Sequence, residues 1–236
     1  MNLPGTFLWP STATGNIAFG AIVLATVGGY LLGSLPFGYL VARARGVNIF
    51  AVGSKSPGAT NVRRTLGARA GTTVFVLDAI KGAVAAGWPL YFLWHAWRTS
   101  AGDSAFVQAE LNTKLLGTIG LISAMLGHAF SCFTHFKGGK GVATGAGAFL
   151  VLMPPVAIVA AAVWAFTFFT SGYVSLASIV AAVAMPLAAL AVGERACFIL
   201  VAVAVAIFVI VRHRANILRL CNGTESKAKG KGGGRP

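Results

Sequence analysis

Residues 136–145 read FKGGKGVATG, two lysines and four glycines in ten positions. Glycine lets successive backbone N–H groups turn toward an anion without Cβ interference, and Lys137 and Lys140 add charge at the same place. A helix starting near Gly141 would aim its positive N-terminus there too. Lys140, Gly138, Gly139 and Gly141 are therefore candidates to hold phosphate. The stretch is not a Walker A loop. That motif needs G-x-x-x-x-G-K-[ST] after a strand, whereas Gly141 follows Lys140 and Thr134 stands five positions before Gly139. A second stretch, GSKSPGATNVRR at 53–64, offers similar chemistry. Gly53 and Gly58 free the backbone, Ser54, Thr60 and Asn61 bring side-chain hydrogen bonds, and Arg64 can grip a phosphate through two N–H groups.

Further polar groups lie within or at the ends of apolar runs: Ser34, Asp78, Lys81, His128, His213 and Asn216. Ionisable groups in membrane helices are costly and mark function by default. Asp78 and Lys81, three apart, share a helix face and suit an internal salt bridge as well as a catalytic pair. His128 suits helix packing as well as a site. His213 and Asn216 share a face where the last apolar run ends, which puts them nearer the two glycine-rich loops.

The elements that position these groups are set by composition. Of 236 residues 56% are hydrophobic and only 10% charged, against about 25% charged in ordinary soluble domains. Thirty glycines and a mean hydropathy of +0.78 point the same way, and the chain reads as an all-α polytopic membrane protein. The net charge of +14 raises nucleic-acid binding as an alternative. The bases, however, concentrate in loops between apolar runs and in the tail, as the positive-inside rule requires. Cys132, Cys197 and Cys221 are odd in number and lack C-x-x-C spacing, so they indicate neither a zinc site nor a disulfide framework. The first residues lack the positive n-region of a cleavable signal peptide and read as part of the mature chain.

Apolar runs fall at about 18–42, 70–97, 115–133, 142–170, 173–193 and 196–212. The 43–69 loop carries Arg43, Arg45, Lys55, Arg63, Arg64 and Arg69, a cytoplasmic signature, and the tail from Arg212 is equally basic. In the 98–114 loop Arg98 and Lys114 are balanced by Asp103 and Glu110, which fits the outside. Six crossings from an outside N-terminus would place the basic tail outside. Met153-Pro154-Pro155 resolves the conflict, since prolines break a helix. Two short helices, about 141–153 and 155–170, give about seven in all and a cytoplasmic C-terminus. Each of the two is shorter than the hydrocarbon core, which is tolerated beside a protein-lined cavity. Residues 1–222 then form one transmembrane domain, and the glycine- and lysine-rich 223–236 read as a tail, disordered beyond about Glu225.

GSLPFGYLVA (33–42), GSKSPGATNVRR (53–64), LDAIKG (77–82), LGHAFSCFTHFKGGKGVAT (126–144), YVSLASI (173–179) and RHRANILRL (212–220) occur in this order. With these motifs the chain resembles the bacterial acyl-phosphate-dependent glycerol-3-phosphate acyltransferases, inner-membrane enzymes of phospholipid synthesis. The resemblance implies transfer of a fatty acyl group from acyl phosphate to glycerol 3-phosphate, giving lysophosphatidic acid and phosphate. It implies no metal or other cofactor, no direct use of acyl-CoA or acyl carrier protein, and a compact seven-helix bundle facing the cytoplasm. Carried over by motif, Ser54, Arg64, Lys140 and His213 match positions that bind the glycerol 3-phosphate or are essential. Asn216 and Ser175 match further active-site positions, Gly53, Gly58, Gly138, Gly139 and Gly141 match the backbone around the phosphates, and Glu225 stands where the family has an acid.

The chain departs from the family pattern where D-I-R becomes Asn48-Ile49-Phe50 and G-S-G-N becomes Gly53-Ser54-Lys55-Ser56. Lys55 is one candidate to replace the missing charge. Acyl phosphate is already activated, so no covalent intermediate is needed and no nucleophile–base pair stands out. Positioning and charge neutralisation suffice. His213 or the substrate's own phosphate can take the hydroxyl proton; the resemblance favours the phosphate, with His213 as its ligand. The rival reading is a transporter of phosphate-bearing metabolites, but the two halves of the chain share no repeated motif.

Overall fold

In a bilayer every backbone group must be satisfied within the chain, and the described residues are helical, with no strand among them. The computed structural model describes residues 17, 19–91, 93, 94 and 103–228. Residues 1–16, part of the 98–114 loop and the end of the tail lie outside them. The helices are α1 (Phe19–Val23), a π-helical turn (Leu24–Gly28), α2 (Gly29–Ser34), α3 (Phe37–Arg43), α4 (Ala59–Leu66), α5 (Ala68–Gly87) and α6 (Asp103–Ala129). There follow α7 (Val142–Leu152), α8 (Pro154–Ser171), α9 (Val174–Ala191), α10 (Ala196–Arg212) and α11 (Arg214–Cys221).

Five helical stretches, Phe19–Arg43, Ala68–Gly87, Phe106–Thr134, Pro154–Ser171 and Val174–Ala191, are long and apolar enough to cross a membrane. A sixth forms if α10 and α11, bent by 60°, are taken together, and α7 is apolar but shorter. The first run is not one straight helix. Pro36 lacks a backbone donor and pushes Leu35 out of the helical region, to ψ 114°. The third run starts at Asp103 rather than 115, because polar side chains bond along the helix: Gln108 donates to Asn112 at 2.9 Å and Thr118 to the Lys114 carbonyl at 2.8 Å.

The chain breaks at Met153, whose φ of −142° and ψ of 67° end α7, and Pro154 opens α8 where a missing N–H costs nothing. Val142 at the start of α7 and Trp164 late in α8 line one cavity, so the two helices run antiparallel. Glycines bring α7 onto α5. A Cβ on Gly82 would lie 1.9 Å from the Thr144 carbonyl oxygen, and one on Gly147 would lie 1.9 Å from that of Ala79. Such contact is how helices associate in lipid, where burial of apolar surface gives no drive. Phe149, Met153, Leu121, Phe198 and Val205 fill the central core.

A smaller core beside it fixes the first loop. Ile49 is fully buried with Ala42, Val62, Ala70 and Val74. Phe50, at the departure from the family pattern, packs on Tyr39 with ring centroids 5.8 Å apart, and the Asn48 side chain accepts from the Phe50 N–H at 3.1 Å. Aromatic contact thus occupies the place of the missing charge.

Candidate active site

Four segments meet at one end of the bundle: the first loop with the start of α4, the 130–141 loop with the start of α7, the start of α9, and the α10–α11 junction with the chain after it. They enclose a polar cavity of about 140 Å³. Its lining brings together Ser54, Gly58, Thr60, Arg64, Lys140, Gly141, Ser175, His213, Asn216 and Glu225 from over 170 residues of chain. Gly58 caps α4 and Gly141 caps α7. Two positive helix ends therefore address the cavity beside Lys140 and Arg64.

A hydrogen-bond chain ties the groups together. The Lys140 ammonium donates to Asn216 Oδ1, and Asn216 Nδ2 donates to Glu225 Oε1 at 2.8 Å. The same carboxylate accepts from Ser175 at 3.0 Å and from Arg219 Nε at 2.7 Å. Arg64 lies 3.9 Å from Glu225 and donates to the Ser226 carbonyl at 2.7 Å. Burial would raise the Glu225 carboxyl, but the bonds from Arg219, Asn216 and Ser175 hold it below its ordinary value. Burial pulls the Lys140 ammonium down to about 8; Glu225 opposes this, while Arg219, Arg64 and Arg212 add to it. His213 Nδ1 lies 2.8 Å from the Val209 carbonyl. A carbonyl only accepts, so the proton sits on Nδ1 and the neutral ring keeps Nε2 as an acceptor.

Several sequence-based assignments change. Asn61 lines the cavity, but its amide is engaged within the loop: Oδ1 accepts from the Ser54 N–H at 2.9 Å, and Nδ2 donates to the Ser56 and Val52 carbonyls at 2.9 and 3.1 Å. It ties the loop instead. Gly53 is needed there at φ +57°, where a Cβ would strike Asn61 Oδ1. Lys55 is exposed and does not line the cavity. Gly138 and Gly139 do not line it either. They lie against α6, where the Gly139 N–H donates to the His128 carbonyl at 3.1 Å. The domain boundary at residue 222 also moves, because 223–228 fold back over the site: Glu225 is buried and the Ala228 N–H donates to the Gly172 carbonyl at 2.9 Å.

Arg212 was not anticipated. Its guanidinium donates to the Gly139 carbonyl at 2.8 Å and lies over the Phe130 ring, so the lysine-bearing loop is registered to the helix end that carries His213. The available signal was periodic: Arg212, Asn216 and Arg219 recur at helical spacing in RHRANILR. Asp78 and Lys81 form a buried pair at 2.8 Å, and Lys81 also donates to the Leu35 carbonyl at 2.9 Å, bracing the break in the first span. His128 Nδ1 lies 3.6 Å from Asp78.

Next to the polar cavity is an apolar one of about 350 Å³, lined by α5 to α10. Phe75, Gly141, Val142, Trp164 and Ser178 belong to both. A cationic, hydroxyl-lined chamber thus opens into an oily one.

A sequence profile described as glycerol-3-phosphate acyltransferase matches residues 23–223. The chain belongs to the glycerol-3-phosphate acyltransferase family. It is 38% identical over 214 residues to the glycerol-3-phosphate acyltransferase of Fusobacterium nucleatum, covering 90% of this chain and 100% of that one. With the enzyme of Rippkaea orientalis the identity is 42% over 207 residues, covering 86% of this chain and 91% of the other. The crystal structure of the integral membrane glycerol 3-phosphate acyltransferase PlsY in its glycerol 3-phosphate form superposes with a TM-score of 0.74 at 37% identity, covering 88% of this chain and 96% of that one. Its lysophosphatidic acid form gives 0.72 at 36%, covering 88% and 95%.

For this acyltransferase the packing of the 138–140 loop yields a prediction. A Cβ on Gly138 would lie 2.0 Å from the His128 carbonyl oxygen, a backbone atom that cannot swing away. Gly138→Ala is expected to displace Lys140 and raise the KM for glycerol 3-phosphate by roughly tenfold or more, measured in detergent on protein that still reaches the membrane.

Proposed function

We propose that this chain transfers a fatty acyl group from acyl phosphate to glycerol 3-phosphate, releasing lysophosphatidic acid and inorganic phosphate. The observation that carries this reading is the junction of the two chambers. A cationic one suits two phosphates, and an oily one suits an acyl tail. The bond to be broken, between the acyl carbon and the phosphate oxygen, would lie where they meet.

In this reading Lys140, Arg64 and the starts of α4 and α7 neutralise the phosphates, and Ser54 and Thr60 orient the glycerol 3-phosphate. The glycerol hydroxyl attacks the acyl carbonyl carbon, and the carbon–oxygen bond to phosphate breaks as inorganic phosphate leaves. The hydroxyl proton passes to the substrate's own phosphate, with a second pKa of about 6, because burial and the neighbouring Lys140 cation disfavour a further positive charge on His213. His213, its ring held by the Val209 carbonyl, can then accept from the protonated phosphate through Nε2 and so serve as a phosphate ligand. Most of the rate gain would come from positioning and charge neutralisation.

The basic loops support a cytoplasmic site in a bacterial inner membrane, with the N-terminus outside and the C-terminus inside. Arg43, Arg45, Arg63, Arg64 and Arg69 all belong to the loop side that bears the site, while elsewhere Lys114 pairs with Glu194. The test is direct. Purified protein is given palmitoyl phosphate and radiolabelled glycerol 3-phosphate in detergent, and lysophosphatidic acid is expected. If none forms while proteoliposomes take up glycerol 3-phosphate, the transporter reading replaces this one.

A further inference from the structure

The two chambers share Phe75, Gly141, Val142, Trp164 and Ser178 as walls, and one side chain there is tethered to a neighbouring helix. On the face that α8 turns to the apolar chamber stand Ala157, Ala160, Ala161 and Trp164, at spacings of three and four that share one helix face. Along this face three alanines give way to the bulky indole where the two chambers share their walls, the neck between them. The indole is fixed in two directions. Nε1–H donates to Ser178 Oγ at 3.2 Å, and the ring stacks on Phe168 with centroids 5.0 Å apart and planes 19° off parallel. Ser178 in turn donates to the Val174 carbonyl at 2.8 Å, so its hydroxyl can accept from the indole but has no proton left for a substrate. The rest of α8 is mostly outward-facing.

Resting on the acyl-phosphate reading above, we infer that Trp164, tethered by Ser178, is a positioning residue that seats the first carbons of the acyl chain and so stops the acyl carbonyl at the neck. A rigid, flat side chain gives a large apolar contact with few rotamers to restrain. With the polar atoms of the tether already paired, the neck presents that contact to methylene groups and leaves the carbonyl to face the Gly141–Val142 backbone on the other side. The carbons touched are those next to the carboxyl group, which every acyl phosphate has. Trp164 therefore governs register, whereas residues deeper in the chamber govern length.

The test compares decanoyl and palmitoyl phosphate as donors for Trp164→Ala, Trp164→Phe and Ser178→Ala. Trp164→Ala is expected to raise the KM for both donors by a similar factor, roughly tenfold, while the KM for glycerol 3-phosphate moves by less than about twofold. Trp164→Phe keeps a ring and restores part of the loss. An equal rise in the KM for glycerol 3-phosphate, or a loss confined to palmitoyl phosphate, overturns the inference. Should Trp164→Ala fail to fold, Trp164→Phe and Ser178→Ala decide: Ser178→Ala removes the tether alone, Trp164→Phe the tether with part of the ring, each should raise the donor KM by about two- to threefold, and unchanged donor kinetics overturn the inference. Wild-type protein that makes no lysophosphatidic acid from either donor would count against the acyl-phosphate reading itself, whereas an active wild type with unaltered variants counts against Trp164 alone.

Discussion

Lys140→Ala is expected to lower kcat/KM for glycerol 3-phosphate by about 100-fold or more, the usual consequence of removing one preorganised donor aimed at the charge of the transition state. Lys140 is half-buried and its ammonium donates to Asn216 Oδ1. Without it that amide oxygen would face a phosphate with nothing to neutralise either. Asn216 remains bonded to Glu225, so the loss should appear in kinetics rather than in folding, and wild-type kinetics in the variant would remove Lys140 from the phosphate clamp. A pH dependence follows with a definite sign. The Lys140 ammonium has been drawn down from 10.5 to about 8, so the cation is present below that pH and lost above it. Because kcat/KM reports the free enzyme, it should fall as pH rises through about 8. In Lys140→Arg the guanidinium stays charged, and the limb should move to higher pH. An unmoved limb would assign the titration to another group.

The second large effect concerns the chain end. Glu225 accepts from Ser175, Asn216 and Arg219, so Glu225→Ala removes three acceptor bonds and leaves a cluster of cations without its anion. Activity is expected to drop about 100-fold and stability by about 2 kcal/mol, less than for a fully buried pair because Arg219 and Arg64 are partly exposed. Ending the chain at Asn222 should do the same, and Glu225→Gln should lose less. The readouts are turnover with palmitoyl phosphate and the thermal aggregation midpoint. A fully active chain ending at Asn222 would show that 223–228 are a mere appendage.

The membrane character and the break at Met153 were legible because hydropathy and proline act locally. So were polar groups of the site: Lys140, Arg64, His213 and Asn216 each stood out by type within apolar or glycine-rich surroundings, and the structure gathers them round one cavity. Less legible was the division of labour among their neighbours. A glycine that frees a backbone for an anion and a glycine that lets two backbones touch look the same in sequence. Gly141 lines the cavity at φ +79°, whereas Gly138 is pressed against the His128 carbonyl. Asn61 reads as a ligand until its amide is seen spent on three carbonyls and an N–H. The last residues misled for a different reason: their composition is that of a solvated tail, and it is Ser175, Asn216, Arg219 and Arg64 that give Glu225 something to bind.

The helix Val142–Leu152 has eleven residues, which at about 1.5 Å each reaches only some 16 Å, about half the hydrocarbon depth. Its start bears on the phosphate chamber and its body walls the oily one, so the acyl tail has no need to leave the bilayer at any stage of turnover. Donor arrival and product departure then become lateral traffic within the leaflet. The enzyme would respond to how crowded its lipid surroundings are with acyl phosphate, a surface fraction, and to the bulk concentration only of the water-soluble glycerol 3-phosphate.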